Sequence, residues 1–427
     1  MKIRVKMNIK TLKIQNFKLF ANKAFSFDPN MNVIIGNNAT GKTSILEVLS
    51  YTIGTVFLGF NGVKLRSLKN DEKRRIITDT GSIEVKLPFR IDVEHTLNEK
   101  IFKWYRDTHK KNGASTTYKN AKTMINYVKE LDQNIRNNEI VNLPLIAYYG
   151  TDRVNDKQNV AHKQEGSRLD GYYASLDPEV VKKQFLIWFR DYEDSVLKFD
   201  KDKALYQAFT ESITSMVKDW TQIHYSWKAN DMLGKHDDGT WTSFSMMSAG
   251  YKNIIRITAD IAYRAITLNP HLKENAVKET HGIVLIDEID MHLHPKWQRT
   301  IIQDLKDTFP NIQFILTTHS PFIIQSLKSK ELISLDVDNN TEEDPYRKSI
   351  PDIIEDEMNV DNVNRSKKFL KMQEVASNYF KLLQEGKTSK NDKKTKALKE
   401  QLDRLELEFN DDPVFVALMK AERGTEL

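Results

Sequence analysis

Residues 33–49 read Val-Ile-Ile-Gly-Asn-Asn-Ala-Thr-Gly-Lys-Thr-Ser-Ile-Leu-Glu-Val-Leu. The apolar run at residues 33–35 predicts a buried strand, and the residues after Thr43 predict the start of a helix. Between them lies the G-x-x-x-x-G-K-[ST] pattern of a phosphate-binding loop. A preceding strand and a following helix are the context in which that pattern is informative, so this stretch predicts an α/β fold built around a phosphate site.

The chemistry of the loop follows from its backbone. Glycines let successive N–H groups turn toward phosphate oxygens, and the N-terminus of the following helix adds partial positive charge. Lys42 can reach the β- and γ-phosphates, and the Thr43 hydroxyl can ligate Mg²⁺. The residues predicted to bind nucleotide here are Gly36, Asn37, Asn38, Ala39, Thr40, Gly41, Lys42, Thr43 and Ser44.

The composition narrows the class of protein. A chain of 427 residues is long enough for two or three domains. The absence of cysteine excludes disulfides, thiol catalysis and cysteine-ligated zinc. The net charge of +5 permits nucleic-acid binding without arguing for it. Because no stretch approaches about 18 apolar residues and the first residues lack an apolar signal core, we expect a cytoplasmic protein with no membrane partner.

A second apolar run, at residues 283–286, ends in two carboxylates, Asp287 and Glu288. Such a run is typical of a buried parallel strand, and ligands of open α/β sheets bind beyond the carboxyl ends of the strands. We expect Asp287 to hold Mg²⁺, directly or indirectly. Glu288 is placed to accept a proton from an attacking water or to orient it.

Two further positions point to the same edge of the sheet. The apolar residues 314–316 predict a strand that delivers His319 there. Ser248 stands where the N-cap of a following helix belongs, so its hydroxyl can meet an anion in front of that helix. Ser-x-Gly before a helix is a weak signal when it is taken alone.

Periodicity organises the rest of the chain. Residues 9–27 predict two strands joined by a turn, and residues 83–93 alternate as one half-buried strand, with Pro88 marking an edge position or a bulge. Residues 178–227 are helical in pattern, and residues 231–240 predict a loop. The tail predicts helices at 366–386 and 389–408 and a third that begins at 411–413.

The order of phosphate loop, Ser-x-Gly, apolar-Asp-Glu and strand-His resembles the ATP-binding-cassette (ABC) ATPase head of the RecF/SMC type, over about residues 9–335. Residues 14–20, Ile-Gln-Asn-Phe-Lys-Leu-Phe, resemble the opening strand of that group. The chain also resembles, more narrowly, the PtuA-like ATPases of Septu and retron anti-phage defence. The supporting stretches are residues 147–153 (Ala-Tyr-Tyr-Gly-Thr-Asp-Arg), 248–253 (Ser-Ala-Gly-Tyr-Lys-Asn) and 288–298 (Glu-Ile-Asp-Met-His-Leu-His-Pro-Lys-Trp-Gln).

The resemblance implies an ABC-type head with a parallel core sheet, an antiparallel β subdomain, an inserted helical lobe and a C-terminal helical extension. No long heptad run occurs between residues 44 and 245, so no long coiled coil is expected. The domains would be an N-terminal ATPase lobe at 1–155, the helical lobe at 156–245, a C-terminal ATPase lobe at 246–340 and the extension at 345–427.

The resemblance also implies an ATPase that converts ATP and water to ADP and phosphate, uses ATP and Mg²⁺, and forms a head-to-head homodimer or a higher oligomer. ATP on one subunit would be capped by Ser248 and Gly250 of the other. Lys18 would approach the phosphates, and residues 290–294 would couple the two sites. The catalytic residues would be Glu288, the γ-phosphate-sensing His319 and Lys42, and the metal would be held by Thr43 and Asp287.

The chain departs from the group at residues 247–251, where Met-Ser-Ala-Gly-Tyr replaces Leu-Ser-Gly-Gly-Gln. This difference bears on the rate of turnover. The glutamine that bridges Mg²⁺ and water in cassette ATPases has two candidates, Gln158 and Gln164, by proximity to the strand that ends at Tyr149. His292 and His294 could suggest a metal site. Their place in the coupling loop, in a chain without cysteine, argues against metal ligation.

The narrow resemblance implies a subunit of an anti-phage complex that gates a partner HNH-type nuclease and reaches DNA through that complex. We predict no intrinsic nuclease, because the acids after the head lie in a helical-looking stretch. One alternative is a RecF-like DNA-binding repair ATPase, motivated by basic clusters at 64–75 and 100–111. Another is a nucleotide-locked scaffold, motivated by the altered signature. The acids that follow the head, on which the prediction of no intrinsic nuclease rests, are Asp352, Glu355, Asp356 and Glu357.

Overall fold

The computed structural model describes residues 7–113, 115–151, 166–177, 184–199, 203–336, 343–360, 366–387, 389 and 392–406. The chain divides into two compact units, residues 1–353 and residues 354–427. The phosphate loop, Ser248, the two carboxylates at 287 and 288 and His319 all belong to the first unit.

The strands of the described residues are numbered in chain order. Their bounds are β1 Met7–Phe17, β2 Phe20–Ser26, β3 Met31–Ile35, β4 Arg75–Ile77, β5 Ile83–Val85, β6 Phe89–Leu97, β7 Lys100–Thr108, β8 Leu145–Tyr149, β9 Trp220–Ser226, β10 Asp231–His236, β11 Trp241–Ser243, β12 Gly282–Ile286, β13 Ile312–Thr317 and β14 Leu332–Ser334.

The helices of the same residues include several single turns. Each helix in the part of the chain that the structure describes is too short or too polar to span a lipid bilayer. The bounds are α1 Lys42–Ile53, α2 Lys122–Arg136, α3 Gln184–Phe199, α4 Lys203–Met216, α5 Ala249–Leu268, α6 Ala276–Glu279, α7 Pro295–Gln298, α8 Ile301–Thr308, α9 Pro321–Ile324, α10 Ile350–Asp352, α11 Lys367–Gln384 and α12 Lys393–Glu406.

The core of the first unit is a parallel sheet. In the described residues its strand order is β14-β3-β13-β12-β8. Every residue of β3, β12 and β13 is buried, as expected for central parallel strands covered on both faces. The parallel core sheet expected from the apolar runs is confirmed. Because β3 lies between β14 and β13, the phosphate loop opens beside the ends of both strands.

An antiparallel sheet in the order β2-β1-β6-β7 supplies the expected β subdomain. The prediction of one continuous strand over residues 83–93 is wrong. β5 pairs with β4 in a separate hairpin, whereas β6 pairs with β1 and β7. Pro88 lies between β5 and β6, and proline has no N–H to donate to a ladder, so the alternating pattern continues in sequence while the pairing partner changes.

The segment expected to be a helical lobe contains α3 and α4, but residues 220–243 form a three-stranded antiparallel sheet, β11-β10-β9. The prediction of a loop at residues 231–240 is therefore wrong. Two positions with positive φ, Asn230 at 51° and Gly239 at 84°, allow the tight connections between the strands. A Cβ at Gly234 would lie 1.9 Å from the Trp220 ring, so the glycine that suggested a loop instead lets two strands pack closely.

The second unit contains the predicted pair of tail helices. The Ser366 hydroxyl accepts a hydrogen bond from the Phe369 N–H at 3.2 Å and caps α11, and Gly386 follows the helix with φ of 77°. The helical hairpin is confirmed, whereas the third helix expected from residue 411 lies outside the described residues. The buried core of the hairpin is formed by Phe369, Met372, Val375, Ala376, Tyr379 and Leu402.

Two buried histidines predict how stability depends on pH. Burial lowers the pKa of His281 to about 3 and the pKa of His95 to about 4. In an unfolded chain both would have a pKa of about 6.5, so the unfolded state binds more protons below that pH. The free energy of unfolding is therefore expected to fall as the pH drops from about 6.5 toward 4, which thermal unfolding at a series of pH values measures.

The variant His281→Leu isolates one of these groups. Neither ring nitrogen of His281 has a hydrogen-bond partner among the described residues, so leucine removes the titration without removing a bond seen there. We expect a smaller loss of Tm in acid for His281→Leu, and an unchanged loss for the exposed control His109→Leu. Identical pH profiles for the native chain and His281→Leu would contradict this assignment.

Candidate nucleotide site

The phosphate loop joins β3 to α1, as the sequence predicts. Gly41 precedes the first residue of α1 with φ of 101°, in the left-handed region that favours glycine. A Cβ at this position would also lie 2.7 Å from the Phe20 ring, which packs against the loop. The Ile45 N–H donates to the Gly41 carbonyl at 3.0 Å and closes the first helical turn. A side chain at position 41 would therefore distort both the loop and its contact with β2.

Lys42 is held against the backbone of the loop. Its ammonium donates to the carbonyl oxygens of Gly36 at 2.7 Å and Asn37 at 3.0 Å. The residue is 8% exposed. Burial lowers the pKa of the Lys42 ammonium, and the nearby carboxylates of Asp336 and Asp287 oppose that shift. The structure thus presents the lysine charge at the loop, where the phosphate pattern predicts it.

Thr43 and Asp287 meet although they are 244 positions apart. The Thr43 hydroxyl donates to Asp287 Oδ2 at 2.8 Å. Asp287 follows β12 and is 2% exposed. Mg²⁺ prefers oxygen ligands and is commonly held by one or two protein groups together with substrate phosphates. This pair of oxygen donors beside the phosphate loop fits that requirement, so these two residues could hold the ion.

Thr317 ties both acids to the neighbouring strand, and sequence reasoning missed it. Its hydroxyl donates to Asp287 Oδ1 at 2.6 Å and accepts the Glu288 N–H at 2.7 Å. Glu288 has a φ of 46°, which is uncommon for a residue with a side chain and needs such surrounding support. A hydroxyl residue at the end of the strand that leads to His319 was the available signal.

The expected coupling loop, residues 290–294, contacts the end of the same strand. Asp290 Oδ1 accepts the Thr318 hydroxyl at 2.6 Å and the His319 N–H at 3.3 Å. His319 is half-buried at this edge of the sheet. The structure therefore brings the predicted sensing histidine, the two carboxylates and the phosphate loop to one edge.

Ser248 occupies the N-cap of α5, as predicted from the sequence. Ser248 is exposed, and its side chain makes no hydrogen bond that caps the helix. Its hydroxyl therefore lies at the N-terminus of α5 without satisfying a backbone N–H of that helix. Gly250 is buried against the coupling loop, where an added Cβ would lie 2.3 Å from the His292 carbonyl oxygen. Asn253 donates to the Met291 carbonyl at 3.2 Å. Glycine at position 250 is thus required by packing within one chain.

The remaining predicted residues have varied positions. The Lys18 ammonium pairs with Glu47 of α1, and its approach to phosphate stays a prediction. Gln158 and Gln164 lie outside the described residues. His294 caps α7, its Nδ1 accepting the Lys296 N–H at 3.2 Å.

The part of the chain that contains this site is similar to known proteins. Residues 31–325 match the protein family described as "AAA domain, putative AbiEii toxin, Type IV TA system". The chain is 28% identical to the "Retron Vc95 probable ATPase" of Vibrio cholerae serotype O1 biovar El Tor, over 77% of this chain and 73% of that protein. It is 24% identical to the "Septu protein PtuA" of Bacillus mycoides (strain KBAB4), over 93% of this chain and 50% of that protein.

Among solved structures, the SMC head domain from Thermotoga maritima aligns with a TM-score of 0.40 and 14% identity, over 77% of this chain and 94% of that chain. The expected similarity to retron and Septu proteins is confirmed by the curated relatives. Because the family match covers more than half of the chain and includes the phosphate loop, both carboxylates and His319, this protein belongs to that AAA-domain family.

Proposed function

We propose that this protein binds and hydrolyses ATP with Mg²⁺ as a subunit of an anti-phage defence complex in the cytoplasm. The observation that carries the proposal is the 2.8 Å contact between Thr43 of the phosphate loop and Asp287 at the end of β12, with Glu288 next to it. The similarity to retron and Septu proteins supports the defence role.

In this proposal the site acts mainly by positioning charge, as phosphoryl transfer requires. The loop amides and Lys42 would bind the phosphates. Thr43 and Asp287 would hold Mg²⁺, whose positive charge would offset that of the phosphates. Glu288 orients the attacking water and accepts its proton. His319 would sense the γ-phosphate. The Lys18 ammonium would leave Glu47 and approach the phosphates.

The proposed active form is a head-to-head dimer. The exposed Ser248 at the N-terminus of α5 is suited to meet the triphosphate of a second copy, with Gly250 beside it. Residues 1–155 and 246–340 would act as the two ATPase lobes, with 156–245 inserted between them. Residues 345–427 would contact a partner HNH-type nuclease, which dimerisation gates.

The test is co-expression with the product of the adjacent open reading frame, followed by co-purification and mass measurement with and without Mg²⁺-ATP. We expect a stable complex, and an ATP-dependent doubling of the ATPase mass that Ser248→Arg removes, because an exposed arginine would obstruct the shared site. ATP binding by each copy should survive in that variant. Failure to co-purify any neighbouring nuclease would count strongly against the gating role.

A RecF-like protein that binds duplex DNA itself is the second candidate, and the basic clusters that motivated it are partly committed to internal contacts. Arg66 pairs with Glu72 at 2.5 Å. Lys73 is 1% exposed and donates to backbone carbonyls, including that of Lys110 at 2.9 Å. Trp104 is 5% exposed, so it is not available for stacking on bases. Salt-sensitive duplex binding by the isolated protein at about 50 mM salt would favour this candidate.

A further inference from the structure

The end of β14 brings an unexpected carboxylate to the phosphate loop. β14 pairs in parallel with β3, and the Leu335 N–H continues that pairing by donating to the Ile35 carbonyl at 3.0 Å. The next residue is Asp336. Its Oδ2 accepts the N–H of Asn37, within the loop, at 2.5 Å. A strand 299 positions away in sequence therefore supplies an anion to the loop predicted to bind phosphate.

The carboxylate is packed against the loop as well as bonded to it. A Cβ added to Gly36 would lie 3.1 Å from the Leu335 side chain and 3.4 Å from Asp336 Oδ2. Of the charged groups that influence the pKa of Lys42, Asp336 has the largest effect, ahead of Asp287 and Glu288. Asp336 thus accepts a backbone N–H of the loop, as a bound phosphate would, and its charge acts on Lys42.

Carboxylate and phosphate oxygens are both anionic acceptors of backbone N–H groups, and like charges a few ångströms apart repel each other. A triphosphate bound to the loop would approach an Asp336 carboxylate that stays on Asn37. Either the carboxylate withdraws or the two anions coexist at an electrostatic cost. In both cases the aspartate weakens nucleotide binding.

We infer that Asp336 is an internal anion that competes with nucleotide phosphate for the loop and sets the affinity of the site. This inference rests on the proposed function, since it concerns how ATP binds at the same loop. It assigns Asp336 an effect that grows with the number of phosphates: largest for ATP, smaller for ADP and absent for adenosine.

The variant Asp336→Asn tests this inference, because the asparagine Oδ1 can still accept the Asn37 N–H while the charge is gone. Calorimetric titration should give a Kd for ATP about tenfold lower than that of the native chain, with a smaller change for ADP. The gap between variant and native chain should narrow as salt rises from about 50 to 500 mM, because salt screens charge. The exposed control Asp79→Asn should leave the Kd unchanged.

A purely structural cap predicts a different result. In that case Asp336→Asn would bind ATP no more tightly than the native chain, and that outcome would overturn the inference while leaving the ATPase proposal intact. If the native chain and Asp336→Asn both fail to bind ATP, the proposed function fails, and the inference fails with it. The melting temperature of each variant, measured first, separates loss of folding from loss of binding.

Discussion

Replacing Lys42 with alanine is expected to weaken ATP binding by roughly 100-fold and to abolish turnover. A hydrogen bond from a charged donor contributes more than a neutral one, and a truncated lysine leaves phosphate charge uncompensated in a partly buried site. The ammonium now donates to two loop carbonyls, so its loss also frees the loop backbone. Titration with a fluorescent ATP analogue and a phosphate-release assay measure the two effects.

Lys13→Ala is the matched control, because Lys13 is an exposed lysine of β1 and lies outside the phosphate loop. That variant should bind ATP like the native chain. An alanine at position 42 that kept native affinity and turnover would show that the loop is not the nucleotide site, and the proposed function would then be wrong.

The second large effect is expected for Glu288→Gln. Glutamine keeps the shape of the side chain but cannot take a proton, and general bases contribute roughly 10²–10⁴-fold to enzymatic rates. ATP turnover should fall by about that factor while ATP binding is kept. Thr317→Val should also lower turnover, because the Thr317 hydroxyl fixes both Asp287 and Glu288. Thr317→Ser keeps the hydroxyl and should keep turnover close to that of the native chain.

The site was predictable where its signal is local in sequence. The phosphate loop and the two carboxylates each follow an apolar run, and the end of that strand places them at the sheet edge. The N-cap serine stands directly before the start of a helix. Thr317 carries only part of this signal, a hydroxyl at the end of the strand that leads to His319, and Asp336 carries none. Their roles depend on pairing with residues 29 and 299 positions away, which only the folded sheet specifies.

The fold, too, was predicted correctly where a local pattern identifies a strand. The prediction was wrong where the pattern is mixed or continues past the end of a strand. The apolar runs identify β3, β12 and β13 because each is wholly buried. The strands β9–β11 are mixed in polarity, and β10 includes Asp231 and Gly234, which are residue types common in turns. At Pro88 the alternation continues although the strand does not, so periodicity alone could not place the break.

The remaining alternative is a scaffold that binds ATP without turning it over. The variant Glu288→Gln also distinguishes this scaffold from an ATPase. A scaffold requires Glu288→Gln to match the native chain both in its residual turnover and in nucleotide-dependent assembly. An ATPase requires the two proteins to differ in turnover. The exposed control Glu84→Gln, on β5, should match the native chain under either account.

The most direct test of the central claim is to measure ATP binding and phosphate release in the same samples of the native chain and Glu288→Gln. The proposed ATPase predicts equal binding, with phosphate release at least about 100-fold slower in the variant. Full turnover by Glu288→Gln would contradict the assignment of the base, and the absence of phosphate release from the native chain with Mg²⁺-ATP would contradict the ATPase itself.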